Sequence, residues 1–209
     1  MARVRGFHAE LIKNKFKEVM DSKNYAFFEN GKYNVNIIGV RREDGTPNKF
    51  DDMLVAIYKD RSDEWTVDSY RITTDPGLYY LNNPMNVKGT AILVPDQYRG
   101  VYKVDGHGQT GYEALCQRSG PVRVYRDPDR DNRHDMKNST IDKGMFGINI
   151  HRASSRYEEM DKIDKWSAGC QVFKNLSDFN EFMKLIKTSV KFYSNSFTYT
   201  LLEEEDLNG

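Results

Sequence analysis

Two side chains in this sequence have the types and the separation for nucleophilic catalysis. His151 ends the strand-like run Ile148-Asn149-Ile150, and Cys170 follows Trp166-Ser167-Ala168-Gly169, with fifteen residues between His151 and Ser167. A thiol attacks well only as its thiolate, so it needs a base or a positive charge beside it, and an imidazole on a neighbouring strand supplies one. In such a pair Cys170 attacks a carbonyl and His151 takes the thiol proton, later passing it to the leaving group. Backbone N–H groups near Gly169 and Cys170 would form the oxyanion hole. A catalytic thiol of this kind is expected to alkylate quickly at neutral pH. The competing reading of any lone cysteine is a small core hydrophobe. Cys116, at the end of the apolar step Tyr112-Glu113-Ala114-Leu115-Cys116, fits that second reading.

The order His151, a gap of about fifteen, then Ser167-Ala168-Gly169-Cys170 resembles the signature of the L,D-transpeptidase (YkuD-like) catalytic domain, whose usual form is His, gap, Ser/Thr-His-Gly-Cys. Ala168 stands where that family usually has a second histidine, and Gln171-Val172-Phe173 lacks the Arg or Asn that often follows the cysteine. The resemblance is strong over about 27 residues, Gly147 to Phe173. It implies an α+β, mainly β domain, an L,D-transpeptidase-like β-sandwich with N-terminal and C-terminal helices. It also implies acyl transfer on peptidoglycan stem peptides with Cys170 as nucleophile, His151 as base, Ser167 and Gly169 in the catalytic turn, and no cofactor for catalysis. Asn149, Arg152 and Trp166, which flank the pair, are assigned to substrate binding.

Two further features bear on chemistry. His107 lies between glycines in Asp105-Gly106-His107-Gly108, a loop where a histidine either lines a site, here as a fourth substrate-binding residue, or simply faces solvent. Asp127, Asp129, Asp131 and Asp135 are spaced like the start of a calcium loop, in which alternate oxygens hold a hard cation. Asn132 replaces the usual glycine there, Asn138 stands where a bidentate Glu is expected, and a solvated turn with Arg–Asp pairing is the alternative to calcium.

The elements that must position these residues can be read from periodicity. Phe7, Leu11, Ile12, Phe16, Val19 and Met20 recur at helical spacing over residues 7–22, beside Lys13, Lys15 and Lys17. Such a helix packs on the body; the lysines leave a membrane-surface helix as the alternative. Strands are expected at Tyr33–Val40 and Met53–Tyr58, joined as a hairpin through a loop containing Asp44-Gly45, and at Trp65–Ile72, ended by Asp75-Pro76-Gly77. More strands follow at Ala91–Val94, Gly100–Tyr102 and Pro121–Tyr125. Ser177 is placed as the N-cap of a helix with Asp178 in its first turn, and Phe179, Phe182, Met183, Ile186 and Val190 share a face directed at the sheet. A strand over Ser196–Leu202 precedes an acidic end, Glu203-Glu204-Glu205-Asp206, expected to fray. The organisation is then a helical segment at 1–30, a catalytic domain at 31–203 and a tail at 204–209.

Lys+Arg and Asp+Glu both number 31, so charge favours no nucleic-acid partner. Thirteen Tyr and eleven Phe supply a core. No run approaches the roughly 18 apolar residues of a membrane span, and no secretory signal is recognisable at the N-terminus. Two distant cysteines make no disulfide framework and fit a reducing compartment of synthesis. An enzyme of this resemblance made in the cytoplasm without an export signal suggests a cell-wall hydrolase acting after lysis, as a phage endolysin does, or carried in a virion. Hydrolysis of the acyl-enzyme is therefore expected over cross-linking. The other alternative is a binding or structural protein on the same fold, with Ala168 marking lost catalysis.

Overall fold

Apolar alternation along the strands, with one face turned inward and the other towards a helix, suits an open sheet, a sandwich and a barrel alike, and the pairing of the sheet's edges decides among them. The computed structural model describes residues 1–43 and 46–208. In chain order the elements are β1 (Ala2–Arg5), α1 (Gly6–Ser22), β2 (Asn36–Arg41), β3 (Asp52–Lys59), β4 (Trp65–Thr73), α2 (Leu78–Asn82), β5 (Thr90–Leu93), β6 (Asp96–His107), β7 (Tyr112–Gln117), β8 (Val122–Asp127), β9 (Asp142–Gly144), β10 (Ile150–Arg152), β11 (Gln171–Phe173), α3 (Leu176–Val190) and β12 (Phe197–Glu203). The large sheet runs β1-β4-β11-β10-β7-β6-β12-β2-β3, and β3 pairs again with β4. Eight strands therefore form a closed barrel, and the domain is α+β and mainly β but not specifically a β-sandwich.

The reason for closure lies in β4. One of its edges pairs with β3 from Trp65 to Ile72, while the other is shared between β1 at Thr66–Ser69 and β11 at Ile72 and Thr73. A strand used along both edges joins the two ends of the sheet and leaves fewer unpaired backbone groups. Leu54, Ala56, Tyr70, Ile72, Tyr102, Phe173, Tyr199 and Leu201 fill the interior, as a barrel of this size requires. The alternate residues Ile38, Val40, Val55, Ile57, Val67 and Leu202 face α1 through Ala9, Phe16, Val19 and Met20.

The sequence stripe of α1 is rotated from its expected position. Phe7 and Leu11 are exposed, whereas Ala9 and Lys13 are buried. Lys13 lies over the Trp65 ring at 5.1 Å and pairs with Glu29, so its stem packs while its charge keeps partners. Among the described residues no helix is long and apolar enough to cross a membrane. Helix α3 lays Phe179, Phe182, Met183 and Ile186 on the interior cluster. Its N-cap position is Asn175, not Ser177, whose amide is taken by Glu158 Oε1, and Asp178 in the first turn pairs with the N-terminal amine at 2.7 Å. The acidic end is not frayed. Glu204–Leu207 form a 3₁₀ turn with a capping box between Glu203 and Asp206, and Lys23 on the α1 side pairs with Asp206. β2 and β3 do form the expected hairpin, and its Asp44-Gly45 turn lies outside the described residues. A separate three-stranded sheet, β5-β8-β9, stands beside the barrel and backs the turn that holds Cys170.

Candidate active site

The His151 and Cys170 segments meet because β10 and β11 are parallel neighbours, with Ile150 opposite Gln171 and His151 opposite Val172. Parallel strands need a crossover, here the loop over residues 153–170. That loop is fastened by polar groups. Asn48 holds Asp164 from both ends of its amide, at 2.5 and 2.6 Å, and Ser154 Oγ accepts the Arg156 and Tyr157 amides at 3.0 Å. Ile163 adds an apolar anchor, buried with Phe50, Ala153 and Val172. Gly77 donates its N–H to the Ser167 carbonyl at 3.0 Å, tying the end of the β4 loop to the same turn.

Ser167 is buried and wires the turn from inside: its Oγ donates to the Cys170 carbonyl at 2.8 Å and accepts the Gly169 amide at 3.1 Å. Gly169 has φ +118°, and a Cβ there would collide with the Ala91 carbonyl of β5, so only glycine fits. Ser167 and Gly169 thus shape the turn and do not face the cleft. The Gly169 amide is committed to Ser167, which leaves the Cys170 amide as the nearer backbone donor for an oxyanion.

Cys170 Sγ donates to the Gly147 carbonyl and receives the Asn149 N–H, both at 3.4 Å. The residue as a whole is only partly buried, but the thiol lies deep enough for burial to push its pKa up to about 11, against a smaller downward pull from the Asn149 amide. His151 is buried, with Nδ1 2.8 Å from the Arg152 carbonyl and 3.3 Å from the Tyr112 hydroxyl. The carbonyl can only accept, so Nδ1 carries the proton and Nε2 keeps its lone pair. Burial first, then the neighbouring His107, drive the His151 pKa down to about 3. Among the described residues the thiol makes no hydrogen bond to His151. The resting pair is a neutral thiol and a neutral imidazole, so the quick neutral-pH alkylation of a preformed ion pair is not expected.

Both groups line one cleft of about 580 Å³ with His107, Tyr112, Arg152, Trp166 and Ala168. His107 stacks on His151, centroids 4.2 Å apart and planes 23° from parallel. Arg152 lies over the Tyr112 ring at 3.8 Å, and Trp166 and Tyr157 are exposed at the rim. Asn149, by contrast, is buried and spent on positioning: Oδ1 accepts the Gln117 amide at 2.8 Å and Nδ2 reaches His107 Nδ1 at 3.0 Å. A smaller cleft of about 320 Å³, lined by Met85, Phe146 and Ile148 among others, reaches Cys170 and Ala168 from the other side. Ala168 therefore stands where the two clefts meet at the thiol.

Tyr112 and Gln117 were not among the expected site residues. Gln117 Oε1 accepts the amides of Phe146, Gly147 and Ile148 at 2.9–3.1 Å, and Nε2 donates to the Gly120 and Gly144 carbonyls at 3.0 Å. It thereby places the Gly147 carbonyl that holds the thiol. Its only signal in the sequence is a polar residue directly after an apolar strand, which says nothing about where its partners lie.

None of the four aspartates of the aspartate-rich loop lines this cleft. Asp127 is buried at the end of β8 and accepts the Asp135 amide, and Asp129 is within hydrogen-bonding reach of both. Asp131 turns away to accept the Arg133 amide, and Asp135 is paired with Lys137 at 2.5 Å. Among the described residues no group of three or more His, Cys, Asp or Glu is placed to hold a metal ion. Comparison with protein-family models, with curated proteins and with solved structures returned no match.

Proposed function

We propose that the cleft is the active site of a cysteine-dependent enzyme that cleaves peptidoglycan stem peptides by acyl transfer to water. The observation that carries this reading is the placement of a tautomer-fixed His151 in β10 and of Cys170 directly before the adjacent parallel strand β11, both lining one open cleft. Sγ attacks the peptide carbonyl as its proton passes to His151 Nε2, the leaving amine takes that proton, and water then releases the acyl group from sulfur. Burial pushes the thiol pKa up and the imidazole pKa down, so neither group ionises alone at neutral pH, and in this reading the proton moves as the carbonyl is attacked. The exposed rim at Tyr157 and Trp166 gives an acceptor, water or an amine, access to an acyl-enzyme.

A second reading has its own support. A thiol whose hydrogen bonds go to Gly147 and Asn149, with Ala168 beside it, also suits a binding protein that keeps the architecture without catalysis. Incubation with purified muropeptides, followed by mass spectrometry, separates the possibilities. Shortened stem peptides that disappear with Cys170→Ala support the hydrolase, and new dimers support cross-linking. Unaltered muropeptides across pH 5–9 reject both enzymatic readings.

A further inference from the structure

His107 is distant in sequence from the His151–Cys170 segment, yet its ring stacks on His151 and lines the same cleft as the thiol. Its tautomer follows from Asn149. Because Asn149 Oδ1 accepts the Gln117 N–H, the nitrogen facing His107 Nδ1 at 3.0 Å is the amide NH₂, which can only donate. His107 Nδ1 is therefore the acceptor, and the proton of the neutral ring sits on Nε2. His151 has the opposite form, with Nδ1 protonated towards the Arg152 carbonyl and Nε2 bare. The cleft thus holds one imidazole acceptor and one imidazole donor, ring against ring. Burial, reinforced by Arg118 and Arg152, lowers the His107 pKa and keeps that ring neutral.

We propose that His107 is a second catalytic histidine, whose Nε2–H donates to the carbonyl oxygen of the bound acyl group as negative charge develops there. The inference rests on the acyl-transfer reading above. In the step, the C–S bond forms and the carbonyl π pair moves to oxygen, where His107 meets it, while the Sγ proton goes to His151 Nε2. On collapse the C=O bond re-forms, the bond to the leaving group breaks, and the leaving group takes the proton from His151. The Gly169 amide, the obvious second backbone donor, is already given to Ser167, and His107 supplies a side-chain donor to stand beside the Cys170 amide. A neutral imidazole is a competent electrophilic partner when its environment keeps it uncharged.

The test uses p-nitrophenyl acetate as acyl donor and iodoacetamide as alkylating agent on the full chain, in wild type, Cys170→Ala, His107→Phe and His107→Gln. Loss of one oxyanion donor slows acylation about 10²–10³-fold, so His107→Phe should lose that much in nitrophenolate release. Its alkylation by iodoacetamide, which forms no oxyanion, should match wild type, and His107→Gln, which keeps an N–H donor, should recover part of the loss. In the unmodified protein, ¹⁵N NMR should find His107 as the Nε2–H tautomer and His151 as the Nδ1–H tautomer; this measurement stands even where a variant misfolds. Wild type acylated at Cys170 with His107→Phe equally fast overturns the donor role alone, as does an Nδ1–H tautomer at His107. Wild type no faster than Cys170→Ala overturns both the role and the reading beneath it.

Discussion

Titrating the rate of iodoacetamide alkylation at Cys170 against pH, in a Cys116→Ser background, tests the neutral resting pair directly. With its pKa pushed up to about 11, the thiol is ionised to about one part in 10⁴ at pH 7, against about 3% for an ordinary cysteine, a deficit of about 300-fold. A more basic thiolate is intrinsically more nucleophilic, and a Brønsted slope near 0.4–0.5 returns about tenfold of that. The net expectation is labelling about 30-fold slower than a free thiol at pH 7, rising close to tenfold per pH unit up to about pH 10. His151 cannot shorten this climb at rest, because with a pKa near 3 it does not hold the thiol proton at neutral pH. Mass spectrometry of the labelled peptide separates Cys170 from background. A rate that levels off near neutral pH, with an apparent pKa below about 8, would refute the reasoning: it would mean that sulfur and imidazole already share an ion pair.

Two further predictions concern groups outside the cleft. Asp52 is buried, accepts the Thr74 amide and hydroxyl and the Arg42 amide, and is held above the usual carboxylate range by burial and by Asp75. Its folded pKa exceeds its unfolded one, so the native state holds the extra proton, and its contribution to stability should be full below about pH 4 and be lost as pH rises through the folded value. The slope is at most about 1.4 kcal/mol per pH unit, read as the difference between urea melts of wild type and Asp52→Asn; parallel curves would reject it. Millimolar calcium should raise the melting temperature of wild type and leave Asp129→Asn unmoved if the aspartate-rich loop takes the cation, since a ligand bound only by the native state stabilises it. An unchanged wild type removes calcium from the protein.

How much of this was legible in the sequence depended on whether the signal was local. The hairpin of β2 and β3, the span of α3 and the turn after β4 follow from periodicity and from Pro-Gly punctuation, and the structure has them within a few residues. β1 is a four-residue strand that exists only because β4 offers Thr66–Ser69, and no local pattern announces a partner 60-odd residues away. Barrel closure was hidden for the same reason, since alternation is alike in an open sheet, a sandwich and a barrel. In α1, Lys13 is buried by a tertiary partner, Trp65, which a hydrophobicity stripe cannot foresee. The positions of His151 and Cys170 were marked by residue type and spacing. Tyr112 and Gln117 carried no such mark, because their importance lies in distant partners.

β10, which carries His151, and β11, which directly follows Cys170, are only three residues long, too short for their own ladders to fix a side chain closely. Precision at this site has to come from elsewhere, and the hydrogen bonds show where. Gln117 orders residues 146–148 with three accepted amides and donates its own amide to Asn149; Asn149 then holds His107, and Ser167 closes the cysteine turn. Gln117, Asn149 and Ser167 are all buried, and removing one partner from such a network leaves another polar group unpaired, at a cost of about 1–3 kcal/mol. Apolar side chains at these positions would leave the amides of residues 117, 146–148 and 169 without these partners, so the network stabilises the loops as well as placing the side chains of the cleft. The same bonds fix the segments around Cys170 and His151, and the acyl transfer proposed above depends on that placement, since misplacement by an ångström is felt in a rate.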